Sequence, residues 1–344
     1  MDVSNLVLVL IALCYFGATI YLANYAEVTG ERELLVRALL NGVIAMVFLS
    51  ALITLQAALL PLPADDELGL GNISPAGSLV NFGLAVAIAL FSYRVMNSIE
   101  TRQRLKRVLG GNTTYNPDSI VHTTAIVLLL ATLSFTIGQL VLSGGISGLA
   151  ENIESNGISL GDTIFNQVLW IFVAFLGIGL FLRRTLEQAL VRLGLRVPTA
   201  GDLRNGVTTA VALYIFVFIV SAVWFALVSP EQFQEQTAAS EQIAAAFGTL
   251  PLAFFLAITV ALGEEILFRG ALQPVFGLWV TSIYFALLHT QYTLTPASLT
   301  IVVVALGFGW LRQRYSTTAA IIAHFLYNFV LLALPLLFGT SGGG

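Results

Sequence analysis

The sequence predicts an all-α fold, a polytopic transmembrane helix bundle of about ten spans with a catalytic core in the last five. Composition is the first observation behind this prediction, because 57% of the residues are hydrophobic, 10% are charged and the mean hydropathy is +0.89. The second is a series of long, uniformly apolar runs without the alternating polar pattern of strands. Helices satisfy their own backbone hydrogen bonds, so lipid accepts such runs as helices.

Ten apolar runs are long enough to be candidates for crossing about 30 Å of hydrocarbon. The eighth and ninth are the shortest and are separated only by a turn at Thr293 to Pro296. The runs cover approximately residues 6–24, 38–60, 78–96, 120–142, 164–182, 206–228, 248–269, 275–291, 296–312 and 318–338.

The connecting segments alternate in charge. Basic residues follow the first, third, fifth and ninth runs, and acidic residues occupy the connections after the second, fourth and sixth. This alternation is typical of the positive-inside rule. We therefore expect an integral, multi-pass protein of a prokaryotic cell membrane, with basic loops in the cytoplasm and both termini outside.

A break in composition near residues 197–202 predicts two parts. Residues 1–200 form an accessory transmembrane bundle of about five spans, whose apolar runs carry mainly neutral polar residues. Residues 201–340 contain almost all the ionisable groups placed within apolar runs. Intramembrane ionisable groups are usually functional, so the second part is the expected working domain.

The seventh run carries the first motif, with Glu264, Glu265 and Arg269 in an otherwise apolar sequence. Residues four apart lie one turn above each other on a helix, so Arg269 is expected to neutralise Glu265. Glu264 points about 100° away from Glu265 and has no cation near it in sequence. An unpaired buried carboxylate is a candidate general base or acid. The alternative is a polar cluster that only holds helices together.

Two further motifs follow on later apolar runs. Phe285 precedes His289 by four residues, and His324 precedes Asn328 by four. This spacing places both members of each pair on one helix face. Two of the three histidines in the chain therefore lie in apolar helices after the glutamates.

Glu-Glu-x-x-x-Arg, Phe-x-x-x-His and His-x-x-x-Asn, in this order, resemble the signature of the CAAX protease and bacteriocin-processing (CPBP) family. This group comprises type II CAAX prenyl endopeptidases and lysostaphin-resistance-type membrane proteins. The resemblance covers about residues 201–340. It implies an intramembrane endopeptidase in which Glu264 and His289 activate a water molecule. His324 and Asn328 would stabilise the oxyanion, with Glu265, Arg269 and Phe285 in support.

The residue types suit peptide hydrolysis, which needs a base for water, a proton donor for the leaving amine and donors for the oxyanion. Metal dependence stays open. Glu264, His289 and His324 could together ligate Zn²⁺ with one open position. The His-Glu-x-x-His motif is absent, and we favour the metal-free mechanism.

Other functions remain as alternatives. A noncatalytic membrane scaffold or partner-binding protein would also retain buried polar residues. A proton-coupled transporter is a further alternative, but it predicts inverted repeats and broken helices in both halves, and neither is evident. The expected partners are membrane lipid and a membrane-associated peptide or protein, prenylated or not, and no nucleic acid.

Overall fold

The chain is described by a computed structural model that covers residues 3–60, 73–111, 113–157, 159–234, 236–237, 247–292 and 296–338. Over these residues the chain forms helices joined by turns, and the nearest approach to a strand is an isolated bridge between Leu180 and Arg184. The predicted all-α helix bundle is confirmed.

Long helices account for the predicted apolar runs, and shorter helices lie between some of them. The helices are α1 (Val3–Thr29), α2 (Glu33–Leu59), α3 (Pro75–Asn97), α4 (Ile99–Leu109), α5 (Ile120–Leu142), α6 (Ile146–Asn156), α7 (Leu160–Gly177), α8 (Leu186–Leu193), α9 (Ala200–Leu227), α10 (Leu250–Glu265), a π-helical segment (Ile266–Leu272), α11 (Gln273–Phe276), α12 (Leu278–Leu288), α13 (Pro296–Arg314) and α14 (Thr317–Phe338).

Within the described ranges, seven helical stretches are long and apolar enough to cross a membrane. The predicted seventh run is one of them, extending over Leu250–Phe276 through α10, the π segment and α11. The predicted first, eighth and ninth runs also contain helices, α1, α12 and α13. With 11 residues, α12 is only about 16 Å long, roughly half the hydrocarbon thickness. The eighth run is therefore too short in its helical part to cross alone.

The chain divides into two compact units. Unit 1 comprises Met1–Leu142 and Val173–Ala189, and unit 2 comprises Ser143–Phe172 and Leu190–Gly344. One boundary falls at the end of α5, and the other two fall inside α7 and α8. The division by function at residue 200 stays a prediction.

Unit 1 packs α1, α2, α3 and α5 against one another. Its buried core is built from aliphatic side chains of these helices, among them Val36, Leu40 and Val43 on one face of α2. These residues recur every three or four positions, which gives α2 a continuous buried stripe.

Unit 2 packs α14 against both α9 and α10, and α13 against α9, α12 and α14. Helix α9 begins with a capping box in which the Thr199 hydroxyl accepts from the Asp202 backbone and the Asp202 carboxylate accepts from the Thr199 backbone. The π segment contacts α12, α13 and α14. All three sequence motifs therefore lie on helices of unit 2 that pack together.

Candidate active site

The first motif sits where α10 ends. Thr249 caps the start of α10 by accepting a hydrogen bond from the Leu252 backbone, and Pro251 fits the first turn because its N–H is not needed there. At the other end, Glu264 is 6% exposed and Glu265 is fully buried. Capping and apolar packing thus bring two carboxylates into the interior of unit 2.

The helix changes its hydrogen-bonding register after Glu265. Residues Ile266–Leu272 are π-helical, and the Gln273 backbone N–H donates to the Phe268 carbonyl five residues earlier. Pro274 follows and has no backbone N–H, so the helix loses one donor at this point. Single turns of π-helix are frequent at functional sites. Arg269 lies within this segment. The spacing of the sequence motif did not indicate a π-helix here.

The expected ion pair between Glu265 and Arg269 is present. Arg269 Nε lies 3.3 Å from Glu265 Oε2, and both side chains are almost fully buried. Arg269 also donates from Nη2 to the Ala305 carbonyl on α13, at 3.1 Å. Its guanidinium lies 4.6 Å from the centre of the Phe285 ring, within cation–π range. Charge pairing, a backbone acceptor and an aromatic face together offset part of the cost of removing Arg269 from water, since Nε and Nη1 have no hydrogen-bond partner among the described residues.

His324 connects the two glutamates. Its Nδ1 lies 2.8 Å from Glu265 Oε1, at hydrogen-bond distance, and its Nε2 lies 3.9 Å from Glu264 Oε2. The ring stacks on Phe308 with the centroids 4.7 Å apart. A carboxylate only accepts, so Nδ1 of His324 carries the proton in this hydrogen bond. Glu265 thereby fixes the imidazole with its second nitrogen on the side of Glu264.

His289 was expected one turn after Phe285 on a continuous helix, but α12 ends at Leu288. The two residues still meet, because His289 Nδ1 lies 2.8 Å from the Phe285 carbonyl oxygen and the two rings are 4.4 Å apart. The carbonyl can only accept, so Nδ1 donates and neutral His289 keeps its lone pair on Nε2. The Phe285 ring is also 6.3 Å from the His324 ring and so contacts both histidines.

Asn328 lies on α14 one turn after His324 and is half-buried. Over the described part of the chain its side chain makes no hydrogen bond. The amide donors that the oxyanion hypothesis requires are thus not used in packing. The contacts above link Glu264, Glu265, Arg269, Phe285, His289 and His324. Asn328 is connected to this group because it lies on the same helix as His324.

Comparison with known proteins gives a family match for the part of the chain that holds these residues. Residues 246–330 match the Rce1-like type II CAAX prenyl endopeptidase family. The matched segment contains all three motifs, and the resemblance seen in the sequence is confirmed. The same part of the molecule carries the buried carboxylates and both histidines.

One curated relative is 37% identical over 86 residues, the uncharacterized protein YpbD of Bacillus subtilis. The alignment covers 25% of this chain and 44% of that protein, so the chain spans less than half the length of the relative it matches. No solved structure matches the chain.

The sequence left Glu264, His289 and His324 open as ligands of Zn²⁺. In the described portion of the chain, the structure shows no group of three or more His, Cys, Asp or Glu residues arranged to hold a metal ion. As placed, these three side chains do not form the three-ligand set that the sequence suggested.

Sequence reasoning missed Gln167, which lies outside the Rce1-like segment on α7. Gln167 is 7% exposed, and a Cβ atom added to Gly263 would lie 3.0 Å from its Cα. Gly263 therefore allows α7 to approach α10 directly before Glu264. One turn further along α7, Trp170 packs on Phe268 with the ring centroids 5.5 Å apart. The sequence did offer a sign of this residue, since a glutamine is unusual within an apolar run.

Proposed function

We propose that the protein is an intramembrane endopeptidase of CAAX-protease type that hydrolyses a peptide bond with water activated by Glu264 and His289. The observation that carries this proposal is the buried group of Glu264, Glu265, Arg269 and His324, in which Glu265 is engaged by both Arg269 and His324. Over the described residues, Glu264 Oε2 has no hydrogen-bond partner, and the same is true of Glu265 Oε2, which however lies 3.3 Å from Arg269 Nε. Glu264 is thus the carboxylate with fewer partners, which supports a role for it in the chemistry.

In the proposed reaction, the water oxygen attacks the peptide carbonyl carbon while Glu264 accepts the water proton. Nε2 of His289 provides a second acceptor for protons of the water. Asn328 donates a hydrogen bond to the tetrahedral oxyanion, and His324 donates one from Nε2 in its form with both ring nitrogens protonated, since Nδ1 donates to Glu265. The intermediate collapses by breaking the carbon–nitrogen bond, and the proton held by Glu264 passes to the leaving amine.

The proposed substrate is a membrane-associated peptide or protein, prenylated or not, cleaved near the cytoplasmic face. The charges of the connecting segments support this side, because Arg312 and Arg314 directly precede α14, the helix that carries His324. We further propose a prokaryotic cell membrane as the location, with both termini outside.

The test is cleavage of a panel of membrane peptides, including a farnesylated CAAX peptide, by the purified full-length protein in detergent. Glu264→Gln and His289→Ala are compared with the parent, each with and without a zinc chelator. We expect losses of about 10²- to 10⁴-fold in both variants. Glu187→Gln, at an exposed position of α8, is the matched control and should retain parental activity.

Each other outcome has a distinct meaning. Loss of activity with the chelator and recovery with zinc would reverse the metal-free proposal. Survival of cleavage in Glu264→Gln would remove Glu264 from the mechanism. Failure of a well-folded parent to cleave any peptide would favour the noncatalytic scaffold, for which the buried polar group only joins helices.

A further inference from the structure

Three consecutive backbone carbonyls of the π segment accept hydrogen bonds from arginine side chains. Arg312 Nε donates to the Arg269 carbonyl at 3.2 Å. Arg192 donates from Nη1 to the Gly270 carbonyl at 2.9 Å and from Nη2 to the Ala271 carbonyl at 3.4 Å. From the sequence alone, these arginines were interpreted only as loop charges that set the orientation of the protein in the membrane. Their contacts lead instead to the backbone that carries Arg269.

Pro274 explains why the first of these carbonyls needs an outside donor. In the register set by the hydrogen bond from Gln273 to Phe268, the next residue would donate to the Arg269 carbonyl. That residue is Pro274, which has no N–H to give. A buried carbonyl without a donor is unfavourable, and the Arg312 guanidinium supplies the missing hydrogen bond.

The two arginines are themselves held in place. Arg312 Nη2 donates to the Arg192 carbonyl at 3.3 Å. Gly194 has a φ of +71°, and a Cβ atom there would lie 2.6 Å from the Arg312 guanidinium carbon, so glycine is required for this approach. The Thr317 hydroxyl donates to the Leu193 carbonyl at 2.5 Å and fixes the same turn to α14. The arginine contacts therefore belong to a built arrangement at the end of α8.

We propose that Arg312, assisted by Arg192, is a positioning residue that keeps Ile266–Leu272 in its π-helical register. That register sets where Arg269 stands relative to Glu265, and Glu265 in turn orients His324 toward Glu264. This inference rests on the proposed function for its effect on catalysis, and on the backbone contacts alone for its effect on the segment.

The first experiment compares Arg312→Gln and Arg312→Lys with Arg314→Gln, a control at an exposed position on the same helix. We expect Arg312→Gln to lower kcat about tenfold or more with KM changed less than twofold, because a small misplacement of reacting groups is costly. Arg312→Lys should recover part of the loss, since its ammonium can still donate. Arg314→Gln should match the parent.

The second experiment restores the donor by another route. Pro274→Ala supplies a backbone N–H for the Arg269 carbonyl, so adding it to Arg312→Gln should recover at least half of the lost kcat on a logarithmic scale. Equal kcat in Arg312→Gln with and without Pro274→Ala would show that Arg312 does not act through this carbonyl, and would overturn the proposal.

Amide hydrogen exchange separates this proposal from the proposed function. Exchange in a peptide spanning residues 262–276 should be at least tenfold faster in Arg312→Gln than in Arg314→Gln, whether or not any substrate is cleaved. Equal exchange in the two variants would overturn the proposal even if the parent is an active protease. Faster exchange in a protein that cleaves nothing would uphold the structural role and reject the protease.

Discussion

The two units of the molecule bury polar side chains in different ways. Among the described residues of unit 1, the buried polar side chains are hydroxyls and amides, and several bond to the carbonyl four residues earlier, as Thr19 does to Tyr15 and Thr123 does to Ser119. In unit 2 the buried polar residues include charged ones, which find partners on other elements. Arg269 bonds to Ala305, and His324 bonds to Glu265.

A single helix can satisfy the first kind of buried polar side chain alone. The second kind requires partners from several elements. A hydroxyl bonded to the carbonyl four residues earlier needs no neighbour. A buried charge needs a partner of opposite sign and further hydrogen bonds, because an isolated charge in an apolar interior costs several kcal/mol. Residues of the second kind therefore mark where several elements must be assembled before a charge can be buried.

The largest effect on stability is expected from Arg269→Met. Removing the guanidinium leaves Glu265 buried without its cation, which should lower the free energy of unfolding by about 3–5 kcal/mol. Chemical denaturation of the purified protein in detergent measures the change. The double variant Arg269→Met with Glu265→Gln removes both charges and should recover most of the loss. Equal losses in single and double variants would contradict the ion pair's role.

A smaller effect is expected from Asp202→Ala at the start of α9. The fully buried carboxylate accepts hydrogen bonds from the Thr199 backbone, the Ser316 hydroxyl and the half-exposed Arg196 guanidinium. Losing these charge-assisted bonds should cost about 2–3 kcal/mol of unfolding free energy, measured in the same way. Asp202→Asn retains an acceptor and should cost less. If Asp202→Ala lowered the unfolding free energy as much as Arg269→Met, a buried charge at the start of α9 would matter as much as one in the candidate site, which would contradict this prediction.

Unit 1 offers a neutral counterpart in Asn24. Its amide nitrogen donates to the Ile20 and Leu176 carbonyls, both at 3.1 Å. Asn24→Ala should therefore lower the unfolding free energy by about 1–1.5 kcal/mol without affecting cleavage. Thermal unfolding and peptide cleavage, measured on the same preparation, check both statements. A selective loss of cleavage would show that unit 1 takes part in catalysis.

The smallest effect is expected from Thr19→Val. The variant keeps the shape of the side chain and removes a hydroxyl whose acceptor, the Tyr15 carbonyl, belongs to the same helix. The unfolding free energy should change by less than about 0.5 kcal/mol. Thr19→Asp is the contrasting variant, since a carboxylate at this fully buried position should be strongly destabilising. Tolerance of Asp at position 19 would contradict the proposed contrast between the units.

The sequence predicted what depends on local spacing and overall hydropathy. All ten apolar runs contain helices, and the four-residue spacing correctly predicted the pairing of Glu265 with Arg269. The π register was not predictable from that spacing, because it depends on donors from distant residues. The hydrogen bond between His324 and Glu265 joins residues 59 positions apart and likewise depends on packing.

His289 shows the limit of a periodicity argument. Its spacing from Phe285 predicted one continuous helical face, but the helix stops at Leu288. The contact survives because the imidazole bonds to the Phe285 carbonyl, a local interaction that spacing alone does not reveal. Gln167 was overlooked for the opposite reason, since nothing near it in the sequence indicates that α7 passes directly beside Gly263.

The short helix α12 bears on how water reaches a reaction in lipid. A helix of about 16 Å ends well within a hydrocarbon layer of about 30 Å if it enters from one surface. His289 covers two of its last carbonyls, with its backbone N–H on Ala286 and its ring on Phe285. Where α12 enters in this way, its end places polar backbone groups below the membrane surface. Under the proposed function, such a spot would hydrate readily and supply the water for hydrolysis, which a peptide arriving through the bilayer does not bring with it.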